Sequence, residues 1–211
     1  MPSPLEKARK DPDSMKAKIL KIARRIFGEY GFHGTTTRMI ARQAGIDVST
    51  LHYHWGDKSD LYEAVIVDIR DDLKRELSHL EKAIHGQPLR RRMEIAIDRM
   101  TAYLFSNPEI SNIVLFRYFG KTRHEGAVDL RVPEFTSSIA WSMNLCRSGE
   151  SVPVDVQMQI LAMMTAIHSF VSGENFFRPM LKLNRRTYEA RVKDTLKFVL
   201  IPAFHQGAMG Q

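Results

Sequence analysis

A chain of 211 residues with 44% hydrophobic and 26% charged residues is long enough to bury a substantial core, and its balance is that of a globular protein, not a disordered or fibrous one. The formal net charge of +7 suits an acidic partner such as nucleic acid without identifying one. A single cysteine, Cys146, excludes an internal disulfide and reads as a small buried hydrophobe in preference to a redox sensor. No apolar run reaches the ~18–20 residues of a membrane span, and the polar start lacks a signal-peptide core, so the expected location is cytoplasmic with no membrane partner.

Residues 1–13 are polar and proline-containing and read as a flexible N-terminal arm. Ser14 is placed to cap a first helix, in which Ile19, Ile22, Ala23, Ile26, Phe27 and Tyr30 make an amphipathic stripe that Gly31 ends. The stretch 35–61 carries the strongest pattern. Thr36 and Thr37 suit the start of a second helix, whose exposed N–H groups match a phosphate. Ile40 and Ala44 share its inner face, and Gly45 stands where the helix must stop in a left-handed conformation. Asp47 can cap a short third helix over 48–53 that turns Ser49, Thr50, His52 and Tyr53 outward while Leu51 and Trp55 face the core. Two helices joined by a tight glycine turn form a helix-turn-helix, whose second helix lies in the DNA major groove. The DNA-contact candidates are Thr36, Thr37, Asp47, Val48, Ser49, Thr50, His52, Tyr53, His54 and Lys58. Lys58 is a cation at a helix N-terminus, which a nearby phosphate explains.

Asp57 can cap a fourth helix over 58–85, carrying Leu61, Val65, Ile69, Leu73, Leu77, Leu80 and Ile84 at spacings of three or four. At ~1.5 Å per residue it is about 42 Å long, a connecting rod between two ends of the molecule, and Gly86 terminates it. Pro88 opens a fifth helix, and Asn107-Pro108 starts a sixth that ends near Phe119 and is apolar nearly all round, hence expected to be buried. After a polar loop at 120–131, helices over 133–147, 153–173 and 187–203 complete an all-α chain.

Chemistry of other kinds finds little support. His52 and His54 sit two apart on different helix faces, and His79, His85, His124, His168 and His205 show no ligand spacing, so no metal and no cofactor are expected. No phosphate-binding glycine loop, nucleophile elbow or carboxylate pair is present in a recognisable arrangement, and the chain does not read as an enzyme.

The residues Phe27, Gly31, Phe32, Thr36, Ile40, Ala41, Ala44, Gly45, Ile46, Thr50, Leu51, His54, Trp55, Lys58 and Leu61 stand in one gap-free register that resembles the N-terminal signature of TetR-type transcriptional regulators. The resemblance covers about residues 14–65. It departs at Asp47, where the family has a capping serine, at His52 for a tyrosine and at Trp55 for a phenylalanine. It implies an N-terminal three-helix, homeodomain-like DNA-binding domain over 14–62 and a C-terminal helical ligand-binding and dimerisation domain over 63–211. The implied function is that of a regulator, most often a repressor, which binds a palindromic double-stranded operator as a homodimer and releases it when a small apolar effector binds. On that resemblance the effector pocket is lined by Met100, Tyr103 and Leu104, by Phe116 and Phe119, and by Trp141, Met143, Met163 and His168. The last two long helices would meet their symmetry mates through Ile160, Met163, Ile167, Val171, Val192, Leu196 and Val199. Two other readings stay open: a regulator with a filled C-terminal core that answers to a protein partner, and an enzyme that uses the C-terminal cavity.

Overall fold

The computed structural model describes residues 2–119 and 132–207, and all regular structure among them is helical. The loop expected at 120–131 lies outside the described residues. The chain divides into two compact units, Met1–Leu73 with Asn112–Leu130, and Lys74–Ser111 with Arg131–Gln211. The division falls inside the long helix Lys58–Ile84.

The first unit begins with a helix where a flexible arm was expected. Helix α1 spans Pro4–Lys10: Ser3 and Glu6 form a reciprocal capping box, with Ser3 N–H donating to Glu6 at 2.7 Å and Glu6 N–H to Ser3 Oγ at 3.1 Å, and Pro4 occupies the first turn. Leu5 and Ala8 are buried, and Arg9 donates to Asp68 and Asp71 at 2.9 Å each. Polar composition hid a seven-residue helix whose two apolar side chains are its anchor.

Helix α2 (Met15–Gly34) starts at the Ser14 cap and breaks at Gly31, where φ is 68° and ψ 177°. The Phe116 ring lies across that glycine, 3.7 Å from where a Cβ would stand, and Thr35 Oγ1 donates to the Gly31 carbonyl at 2.7 Å. Beyond the break, Phe32 and Tyr62 continue the core around Phe27, and Tyr30, expected on the buried stripe, is 48% exposed. Helices α3 (Thr37–Ala44) and α4 (Val48–Trp55) follow, and Ile40, Ala41, Ala44, Leu51 and Trp55 complete the core. Helix α5 (Lys58–Ile84) contributes Leu61, Val65, Ile66 and Ile69. It also contributes Asp68, which is nearly buried and accepts from both Arg9 and Arg24.

In the second unit α6 (Leu89–Ser106) lies against α11 (Arg185–Gly207). Phe105 meets Tyr188 edge-on at 5.9 Å, Lys197 pairs with Asp98 at 2.6 Å, and Val192, Leu196, Leu200 and Phe204 are buried. Helix α7 (Pro108–Phe119) is less buried than its composition suggested, because Phe116 is 46% and Phe119 72% exposed. Helix α8 (Val132–Ser142) stops short of Arg147: Asn144 takes a left-handed φ of 59°, and Leu145 N–H closes on the Ala140 carbonyl at 2.9 Å. Helix α9 (Val154–Ser172) is long and apolar enough, by length and composition, to cross a membrane, contrary to the sequence expectation. One of its faces is buried in the second unit, through Ile160, Met163, Ile167, His168 and Val171. A short α10 (Glu174–Met180) fills part of the stretch between the helices expected over 153–173 and 187–203, and Pro179 near its end removes little. The cap of α11 is Asn184, whose side chain accepts from Thr187 N–H at 2.9 Å, and the helix runs through Pro202 to Gly207.

Candidate nucleic-acid interface

Helices α3 and α4 are joined by a turn whose geometry requires its glycine. Gly45 adopts φ 73° and ψ 34°, and Ile46 N–H returns to the Ala41 carbonyl at 3.1 Å. A Cβ at Gly45 would touch nothing within 4 Å, so the requirement is conformational, not spatial. Thr36 caps α3, its hydroxyl accepting from Met39 N–H at 3.2 Å, and Thr37 is its half-buried first residue.

Asp47 caps α4 and organises its first turn. Its Oδ1 accepts from Thr50 N–H and from Ser49 Oγ, both at 2.6 Å, and its Oδ2 accepts from Thr50 Oγ1 at 3.1 Å. The Ser49 hydroxyl, then the Thr50 N–H and hydroxyl, hold the carboxyl well below the usual carboxylate range, at about 2. Leu51 and Trp55 anchor the helix in the core, and Tyr53 on the opposite face is 84% exposed, the largest exposure among the described large apolar side chains.

The C-terminal turn of α4 carries two histidines whose Nδ1 atoms play opposite roles. His52 Nδ1 lies 2.8 Å from the Gly56 carbonyl; an oxygen there only accepts, so Nδ1 carries a hydrogen. His54 Nδ1 lies 3.1 Å from the Lys16 ammonium, which only donates, so Nδ1 accepts and the hydrogen sits on Nε2. Lys16 also donates to the His54 carbonyl at 2.9 Å, placing a cation at the helix C-terminus. Burial first and the Lys16 charge second push the His54 imidazole below its ordinary value, and burial followed by Lys7 does the same to Lys16. Sequence reasoning missed Lys16, because nothing in a single sequence links the first turn of α2 to the end of α4.

Lys58 is held by its own chain. Its Nζ donates to the carbonyls of Phe32 at 3.0 Å and Thr35 at 3.1 Å and stands 4.2 Å over the Phe32 ring. These contacts account for a cation at the start of α5 without a phosphate. Asp57 and Asp60 cap that helix reciprocally, each accepting from the other's N–H at 2.9 Å.

The residues expected at a pocket and a dimer surface are placed differently. Of the pocket candidates, Phe116 and Phe119 belong to the first unit and are exposed. Leu104, Met143, Met163 and His168 are buried in the second, with Met100, Tyr103 and Trp141 half-buried. Among the dimer candidates, Ile160, Met163, Ile167, Val171, Val192 and Leu196 are between 0% and 7% exposed within the single chain. Only Val199, at 57%, lies on its surface. The apolar stripe chosen from spacing is the one each helix needs for its own core. The outward face carries Val154 and Met158 on α9 and Phe198 beside Val199 on α11, all more than half exposed.

A small helical head with a capped, outward-facing second helix defines a helix-turn-helix protein. Residues 19–65 match the family model described as bacterial regulatory proteins, tetR family. That match covers the helix-turn-helix head of this chain. It is 34% identical over 71 residues to the HTH-type transcriptional regulator UidR of Escherichia coli K12, which covers 34% of this chain and 35% of that one. It is 37% identical over 79 residues to the dual regulator CecR of Shigella flexneri, covering 36% and 35%. The matched stretch is thus about a third of the length of those two transcriptional regulators. The whole fold is similar to a TetR-like regulator from Rhodococcus sp. RHA1, with TM-score 0.62 and 19% identity over 93% of this chain and 97% of that one. It is also similar to FadR of Bacillus subtilis in complex with stearoyl-CoA, with TM-score 0.59 and 12% identity over 88% and 97%.

Proposed function

We propose that this chain regulates transcription in the cytoplasm as a repressor that binds a palindromic operator as a homodimer and leaves it when a small apolar effector occupies the second unit. The observation that carries the DNA reading is α4: capped by Asp47, joined to α3 through left-handed Gly45, and presenting Ser49, His52 and Tyr53 outward while Leu51 and Trp55 fix it from behind. The exposed apolar face of Val154, Met158, Phe198 and Val199 supports the dimer, since apolar surface gathered on paired helices marks an interaction site. The stearoyl-CoA complex of the similarly folded FadR makes long-chain acyl-CoA the first effector class to try.

The test is selection from a pool of random-sequence duplexes, followed by titration of the recovered duplex with acyl-CoA of graded chain length. A two-fold symmetric site, released by one chain-length range, is the expected result. Recovery of no duplex above non-specific affinity overturns the DNA reading. Retention of the duplex with every acyl-CoA overturns that effector class.

A further inference from the structure

The first turn of α4 is an arrangement of acceptors. A serine or threonine hydroxyl has one hydrogen to donate and two lone pairs. Ser49 and Thr50 both direct that hydrogen to Asp47, which as a charged carboxylate has none to return. The direction of both bonds is therefore fixed, and Ser49 Oγ, Thr50 Oγ1 and Asp47 Oδ2 keep only lone pairs. Asp47 and Ser49 are exposed, and Thr50 is half-buried. A phosphate oxygen is itself an acceptor and negatively charged, so this turn repels it. In the major groove only the exocyclic amines, N6 of adenine and N4 of cytosine, are hydrogen-bond donors, and the N-terminal residues of such a helix are those that meet base edges.

We infer that Asp47, with the two hydroxyls it holds, is a specificity-determining residue that reads an exocyclic amine of adenine or cytosine in the major groove. This rests on the DNA-binding reading above. The family's serine at this position gives up the negative charge and the second acceptor oxygen, so the aspartate converts a phosphate-compatible cap into a base-reading one. Its acid strength supports the same view: a carboxyl held near 2 stays ionised at every pH at which duplex DNA exists. Every base pair carries one such amine, so the preference concerns which strand presents it. The expected signature is an amino base, A or C, favoured over a keto base, T or G, at one or two adjacent positions of each half-site.

The test uses the full-length protein and the duplex recovered by selection. Replacing the favoured adenine with purine, or the favoured cytosine with 2-pyrimidinone, deletes the amine alone. For the wild-type protein that deletion is expected to weaken binding about tenfold. Asp47→Ser keeps a capping side chain and frees both hydroxyl hydrogens, so the same deletion is expected to cost under about threefold. The salt dependence is expected to steepen by about one phosphate, a slope change of roughly 0.9. Asp47→Asn keeps the oxygen that caps Thr50 and adds an amide donor, so selection with it is expected to move the preference toward keto bases; helical circular dichroism reports whether each variant is folded. Two results overturn the inference: no cost of amine deletion in the wild type, or an equal cost in wild type and Asp47→Ser. Failure of the wild type to select any duplex strikes the DNA-binding reading instead.

Discussion

Three side chains in the head make residue-scale predictions. Gly45→Val places a β-branched residue at φ 73°, a strain of ~1–3 kcal/mol concentrated in the turn. Duplex binding is expected to be lost while the second unit keeps its thermal transition; wild-type affinity would show that the turn tolerates a side chain. Lys58→Met removes two carbonyl contacts and a ring contact and is expected to lower stability by about 1–3 kcal/mol. An unchanged melting temperature would mean that those contacts contribute nothing. The third prediction concerns protons. Burial first and the Lys16 charge second hold the His54 imidazole below its ordinary value, which favours the neutral ring whose Nδ1 faces the Lys16 ammonium. Lys16→Met removes the second of those causes, so the ring takes up a proton more readily and binding is expected to strengthen at pH 6 relative to pH 8 by more than in wild type. Adding His54→Gln to Lys16→Met should abolish the difference. If Lys16→Met loses affinity equally at both pH values, its role is direct contact. The glycine was legible in the sequence because one residue's φ dictates it. The Lys16–His54 and Lys58–Phe32 contacts were not, since they join residues 38 and 26 positions apart.

Single elements depend on contacts that composition conceals. Helix α1 has seven residues, too few to persist alone, and it is held by Leu5, Ala8 and the ion pairs of Arg9 with Asp68 and Asp71. Its polar sequence hid it because only two of its side chains are buried. Helix α9 makes the opposite case, since its apolar stripe was plain in the sequence but not the identity of its partners. Within it, His168 is 5% exposed and its Nδ1 lies 3.0 Å from the buried Ser111 hydroxyl of α7. Burial holds the imidazole down to about 4. A histidine depressed in the folded state binds its proton more readily when unfolded, so its stabilisation is present above ~6.5 and is lost as pH falls toward 4. The difference of about 2.5 units corresponds to roughly 3 kcal/mol lost across that window. Denaturant unfolding at pH 7 and pH 4.5 should show that loss, and His168→Gln, which retains a partner for Ser111, should show much less of it. An equal acid loss in the variant would assign the effect to other groups.

At the scale of the whole molecule the decisive property is association. An eight-residue α4 offers few base contacts on its own, and in the proposed homodimer two-fold symmetry would double them and fix the spacing of the half-sites. The sequence shows that α9 and α11 are amphipathic, but periodicity alone does not say which apolar stripe serves the chain's own core. The structure assigns Ile160, Ile167, Val192 and Leu196 to that core, and leaves Met158 60% and Phe198 81% exposed on the same two helices. Substitutions at the two sets should therefore behave differently. Ile160→Glu or Leu196→Glu buries an unpaired charge and should unfold the second unit. Met158→Asp with Phe198→Asp changes only solvent-facing positions, so the monomer should stay folded while the dimer and tight operator binding are lost together. A stable dimer needs roughly 1,200–2,000 Å² of buried surface, more than these side chains supply alone, so the contact must extend along both helices. Sedimentation at low micromolar concentration measures the outcome directly. A wild-type protein that sediments as a monomer yet holds its duplex tightly, or a Met158→Asp/Phe198→Asp variant that remains a dimer, would remove this face from the interface.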